Sequence, residues 1–119
     1  MLRLKPKKIQ LPSIEDDNIM EDYILLCDMK AVEKLQSEYK ISIMKEMMKV
    51  QKNGVMDEEV LIKFFGAMVR KNMIDEPIGI EIFNELQLNP MAVIIKYAED
   101  IVNCIVEAMP QGKGKKKAK

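Results

Sequence analysis

From Asp28 onward the apolar residues recur every three or four positions, the spacing that gathers them on one face of an α-helix. Asp28 can cap a first helix whose inner face is Met29, Val32, Leu35 and Tyr39, its carboxylate accepting an otherwise unpaired first-turn amide. Ser42 can cap a second, with Met44, Met47 and Met48 on one side and Asn53-Gly54 as its left-handed stop. Asp57 opens a third, where Val60/Leu61, Phe64/Phe65 and Met68/Val69 repeat every four residues as a wide apolar face. Asp75-Glu76-Pro77 starts a short fourth helix through Ile78, Ile82 and Leu86, because a first-turn proline lacks only an amide that had no partner. Asn89-Pro90 opens the longest one, to about Met109. Its apolar positions Met91, Ile94, Ile95, Ala98, Ile101, Val102, Ile105 and Met109 leave one narrow polar stripe through Lys96, Glu99/Asp100, Asn103 and Glu107. A stripe that narrow predicts burial on more than one side, a central helix around which the others pack.

The front of the chain has a different period. Leu2 and Leu4 alternate, as do Ile9 and Leu11, with Lys5-Pro6-Lys7-Lys8 between, which predicts a two-stranded ribbon turning at Pro6. Residues 19–27 fit either a helix through Met20, Tyr23/Ile24 and Cys27 or a strand over Tyr23 to Cys27, and a continuous apolar run does not separate the two. The expectation is therefore a mainly α protein, a compact bundle of four to six helices with a short N-terminal β ribbon. Residues 1–12 form the ribbon, 13–110 the helical domain and 111–119 a disordered basic tail, since Gly and Lys without an apolar anchor cannot offset the entropy of ordering.

Charge sharpens this division. Lys/Arg and Asp/Glu number nineteen each, yet Ile9–Pro110 carries ten of the former against nineteen of the latter, a net −9. Two positive ends thus flank an acidic middle, a distribution that favours partner-directed electrostatic contacts. Eleven Met residues either fill gaps between helices or form an adaptable partner-binding surface.

With no His in the chain, histidine triads and His metal sites are excluded. Cys27 and Cys104 lack metal-ligand spacing, so they read as buried thiols of a reducing compartment. The acids cluster at Asp16/Asp17, Asp57/Glu58/Glu59, Asp75/Glu76 and Glu99/Asp100, three of them where helix starts or an acidic loop put negative charge and the fourth on a solvated face. No phosphate loop or calcium loop is legible. The N-terminal Met-Leu-Arg-Leu-Lys-Pro-Lys-Lys is not followed by the apolar core of a signal peptide, and no apolar run approaches the ~20 residues of a membrane span. The expectation is a cytoplasmic protein that is not an enzyme and uses no cofactor or metal.

Taken in order, several segments resemble the tail assembly chaperones of long-tailed bacteriophages and prophages. These are the Leu2-x-Leu4…Ile9-x-Leu11 ribbon, the aspartate-led Asp28-Met29-Lys30-Ala31-Val32-Glu33-Lys34-Leu35-Gln36, the Ser42 helix and the helix segment Leu61-Ile62-Lys63-Phe64-Phe65-Gly66-Ala67-Met68-Val69. An acidic turn and a final apolar helix ending at Ala108-Met109-Pro110 follow. Where that family often has Trp in the third helix, this chain has Phe64 or Phe65, and Met replaces much of the usual Leu and Ala. The resemblance implies a non-enzymatic monomer or small oligomer in the bacterial host cell that coats the helical tape-measure protein and yields it to tail-tube subunits. A Met-rich groove suits such a partner, and Met44, Met47, Met48, Phe64, Phe65 and Met68 are the expected contact surface. Lys115-Lys116-Lys117 must be encoded by a nearly pure adenine run, and the resemblance implies a ribosomal slip there yielding a minor, longer product. The competing expectation is a small helical regulatory or adaptor protein whose lysine tail makes non-specific, salt-sensitive nucleic-acid contacts.

Overall fold

The computed structural model describes residues 4–108, so the lysine tail, Leu2 of the expected ribbon and the helix end at Met109-Pro110 lie outside the described residues. Along the chain come β1 (Lys7–Pro12), β2 (Met20–Leu25), α1 (Met29–Glu33), running on into a π-helical turn at Lys34–Glu38, α2 (Ile43–Asn53), α3 (Glu58–Met68), β3 (Val69–Arg70), α4 (Ile82–Glu85) and α5 (Pro90–Ala108). About half of the molecule is helical, and the rest is organised by an antiparallel sheet in the order β1-β2-β3. The architecture is α+β rather than an all-helical bundle.

Among the described residues β1 pairs with a segment other than the one expected for the ribbon. Segments 2–4 and 9–11 would offer only a rung or two on either side of Pro6, whereas residues 20–25 offer β1 six, from Lys7 opposite Leu25 to Pro12 opposite Met20. That register turns Ile9, Leu11, Tyr23 and Leu25 to the same buried face and leaves Lys8, Gln10 and Asp22 exposed. Residues 20–25 are therefore strand, which resolves the open choice over 19–27. Ile9 and Leu11 enter the same core as the helices, so residues 7–12 are not a separate unit. The outer edge of β1 is closed by α5: the Tyr97 hydroxyl donates to the Gln10 carbonyl at 2.7 Å and accepts from the Gln10 amide at 3.4 Å. An unpaired strand edge is an aggregation hazard, and here a side chain, two lysines and Pro12 blunt it.

The caps behave as their residue types require. Asp28 accepts from Ala31 N at 3.0 Å, Ser42 from Lys45 N at 3.3 Å, and Asn89 from Met91 N at 3.0 Å. Gly54, at φ 85°, ends α2 with its amide on the Val50 carbonyl. Met29 is exposed, however, and the buried positions of the first helical segment are Ala31 and Leu35.

The helix expected from Pro77 shrinks to one turn at Ile82–Glu85. Residues 78–80 are laid against α3 and β3 instead, with Ile78 N donating to Val69 O and Gly79 N to Gly66 O, both at 2.9 Å. Gly79 takes φ 98°, a left-handed conformation that breaks a helix there. The approach is so close that a Cβ on Gly66 would stand 2.6 Å from Ile80 N and 2.8 Å from the Gly79 carbonyl carbon. Gly66→Ala must push backbone from backbone, and we expect a loss of about 1–3 kcal/mol in denaturant unfolding, with the helical circular dichroism of the folded state retained.

Phe64, Phe65 and Met68 of α3 fill the centre, with Phe65 5.4 Å from the Phe83 ring and 6.4 Å from Tyr97. Beneath them a single buried cation ties three segments together. The Arg70 guanidinium, fully buried, makes a two-pronged contact with Asp28 at 3.0 Å on each oxygen. It also donates to the carbonyls of Leu26 at 3.0 Å, Asp75 at 3.2 Å and Met68 at 3.4 Å. The β2–α1 junction, β3 and the loop before α4 thus share one node, and Asp28 serves it while capping α1. Among the described residues no helix is long and apolar enough to cross a membrane.

Candidate functional site

Each residue of a helix advances about 100°, so a fold that covers one side of α5 accounts for only part of its apolar arc. Val93, Ile94, Tyr97, Ile101, Cys104 and Ile105 face the core. Beside them Met91, Ile95, Ala98 and Val102, spaced four, three and four apart, make a second line along the same helix. That line is not covered: Ile95 is 75% exposed, Met91 38%, and Ala98 and Val102 are half-buried. The expectation of a helix buried on more than one side is corrected here. The apolar arc is as wide as the sequence says, but the fold uses only its inner part.

The open line runs into a cavity of about 370 Å³. Val50 of α2, Gly54, Val55 and Met56 of the following turn, Leu61 of α3, and Ala98 and Val102 of α5 form its apolar lining. Val55 is 71% exposed at its mouth. A second cavity of about 220 Å³ brings Ile43 and Met44 against Ile105 and Ala108. Because the start of α2 meets the end of α5, while Val50 meets Ala98 and Val102, α2 runs antiparallel along α5. Met47 is the one buried residue of α2, so this helix is a light cover with apolar space at both ends. The line Met91, Ile95, Ala98 and Val102 spans about three helical turns of α5, and at Ala98 and Val102 it deepens into a groove beside Val55 and Met56.

Its rim is polar and acidic. Glu99 and Asn103 border the cavity from α5. Asp57 and Glu58, four and three residues before Leu61 and so on its side of α3, are both exposed.

The six residues expected to form the contact surface do not lie together. Phe64, Phe65 and Met68 are 0% exposed, because α3 is packed against α5 and α4 on one side and against residues 78–80 on another, and they cannot meet a partner in this fold. Met47 points into the core edge; Met44 and Met48 alone are exposed, on α2. The groove residues that the sequence reading passed over are Val55 and Met56. Their signal was an apolar pair directly after Asn53-Gly54, where a helix-stop loop is normally polar.

Other chemistry-bearing groups are structurally occupied. Burial pushes the Cys27 and Cys104 thiols up to about 11, and both line a small pocket where the Cys104 thiol lies 3.9 Å from the Leu25 carbonyl. Both should therefore react with iodoacetamide at pH 8 at least tenfold more slowly in the native protein than in denaturant, since the thiolate is the nucleophile. On the opposite side a cleft of about 600 Å³ carries Lys7, Lys8, Lys71 and Lys96, but Lys7 pairs with Asp100 at 3.7 Å and Lys71 with Glu21 at 2.9 Å. Lys71 holds Glu21 below the usual carboxylate range through that bond. Among the described residues no three Cys, Asp or Glu side chains gather as a metal site. No protein-family model matches the chain, and no curated protein or solved structure matches it either.

Proposed function

We propose that this chain is a tail assembly chaperone of a long-tailed bacteriophage or prophage, a non-enzymatic protein that acts in the bacterial cytoplasm. It holds the helical tape-measure protein and releases it to tail-tube subunits as the tube grows. The observation that carries this reading is the surplus apolar arc of α5: a stripe three turns long, spaced for a helix and left open, is the complement of an amphipathic helix. The order of segments along the chain, from the β ribbon through the Asp28, Ser42 and Asp57 helix starts to the final apolar helix, supports the same reading. The thioethers of Met56 at the cavity and Met91 at the far end of the open line suit a client that offers many slightly different apolar stripes, because a flexible unbranched side chain adapts to each.

Co-expression with the long helix-rich protein of a neighbouring gene tests this. The expected result is that the partner becomes soluble and elutes with this chain in one complex. A partner that stays insoluble with or without it contradicts the proposal. An adaptor acting on nucleic acid would instead bind duplex DNA with an affinity falling steeply as salt is raised.

A further inference from the structure

We infer that the helix this groove accepts is cationic along its flanks, an amphipathic segment with Lys or Arg on either side of its apolar row. The inference rests on the proposal that the groove docks a partner helix, and it adds the chemistry of that helix. Length and shape come from the Met91, Ile95, Ala98 and Val102 line, which can receive about three turns. Charge comes from the rim.

Glu99 borders the cavity on the α5 side, and Asp57 and Glu58 are exposed one turn before Leu61 on the α3 side. The lysines nearest in sequence are turned elsewhere. Lys52 lies about 160° round α2 from Val50, and Lys63 about 160° round α3 from Leu61. Lys49 is engaged by Glu46 at 3.4 Å, and Lys96, about 120° round α5 from Val102, sits over the Tyr97 ring at 5.4 Å and lines the separate lysine cleft. Negative charge therefore borders the cavity end of the apolar line, from α5 and from the start of α3, and no cation lines that cavity. A docked helix with acidic flanks would set like charges against each other as water left the groove; one with basic flanks would form pairs at the rim, where such pairs set orientation, specificity and on-rate.

The test uses the full chain and three synthetic peptides of about four turns with the same leucine row and flanks of all Lys, all Glu or all Gln. Expected is binding at least tenfold tighter for the Lys peptide than for the Glu peptide at low salt, with Gln between and the spread shrinking as salt is added. Glu58→Gln with Glu99→Gln should collapse the spread, and Glu58→Lys with Glu99→Lys should invert it. Equal binding of all three peptides, or tightest binding of the Glu peptide, overturns the inference while leaving the co-expression result untouched. Binding of none of them overturns the groove as a helix dock. If the Lys peptide binds only after Lys115→Gln, Lys116→Gln and Lys117→Gln, the occupant is the chain's own tail and the inference is likewise overturned. The peptide ranking stands on its own if the neighbouring-gene protein is not captured, so the two proposals fail separately.

Discussion

Asp28→Ala should cost roughly 3–5 kcal/mol and lower the melting temperature by roughly 10–25 °C, the largest single effect expected outside the aromatic core. The reason is an asymmetry in what each half of the Arg70–Asp28 pair leaves behind. Arg70 is fully buried, so removing its carboxylate strands a guanidinium among neutral carbonyls and removes the α1 cap in the same step. The Asp28 side chain is 22% exposed, so Arg70→Met leaves a carboxylate that can take up water and still cap Ala31; the cost there is the loss of a donor to Leu26 O and Asp75 O, about 1–3 kcal/mol. Denaturant unfolding of both variants checks the order. A milder Asp28→Ala than Arg70→Met would mean that the pair contributes little and the carbonyl contacts carry the node.

Ile95→Asp and Val102→Asp should each weaken capture of a helical partner roughly a hundredfold. A carboxylate set on the floor of a closing apolar groove loses its hydration without gaining a partner, and the acidic rim makes this worse. Ile95 is 75% exposed in the free protein, so its substitution should change stability by no more than about 0.5 kcal/mol, which separates a binding effect from a folding one. Met48→Asp, on the exposed side of α2 and away from both cavities, should leave capture within a few-fold. Phe65→Asp should instead unfold the protein, because it buries a charge at the centre of the core. Affinity measured by titration calorimetry beside thermal melting distinguishes these four outcomes.

The sequence announced its helices through their ends. Asp28, Ser42 and Asn89 cap helices and Gly54 stops one, because capping and left-handed termination depend on residues a few positions away; Asp57 precedes its helix without a side-chain cap bond. What it could not announce was anything set by distant pairing. The six rungs that β1 makes with Met20–Leu25 are such a pairing, and nothing within residues 1–12 encodes that partner. Arg70 was invisible as a structural centre, since its five contacts come from residues two to forty-four positions away. Backbone laid on Gly66 likewise removed most of the helix expected after Pro77.

Phe64, Phe65 and Met68 left the expected contact face for a related reason. Periodicity tells which residues are apolar, not which apolar residues the rest of the chain will cover. Phe64, Phe65 and Met68 looked like a broad contact face and became the core, while the arc of α5 that looked like a core became the open face. Glu99 is exposed on the polar stripe, as its spacing predicts, and also borders a cavity that periodicity does not reveal.

The methionines that make the chain unusual also report on its central claim. With ¹³C-labelled methionine methyl groups, addition of the tape-measure protein or a fragment of it should shift or broaden the signals of Met56 and Met91, which flank the groove, and leave the buried Met68 unchanged. Shifts confined to Met44 and Met48, or to Met29 and Met73 on other exposed surfaces, would contradict docking along α5.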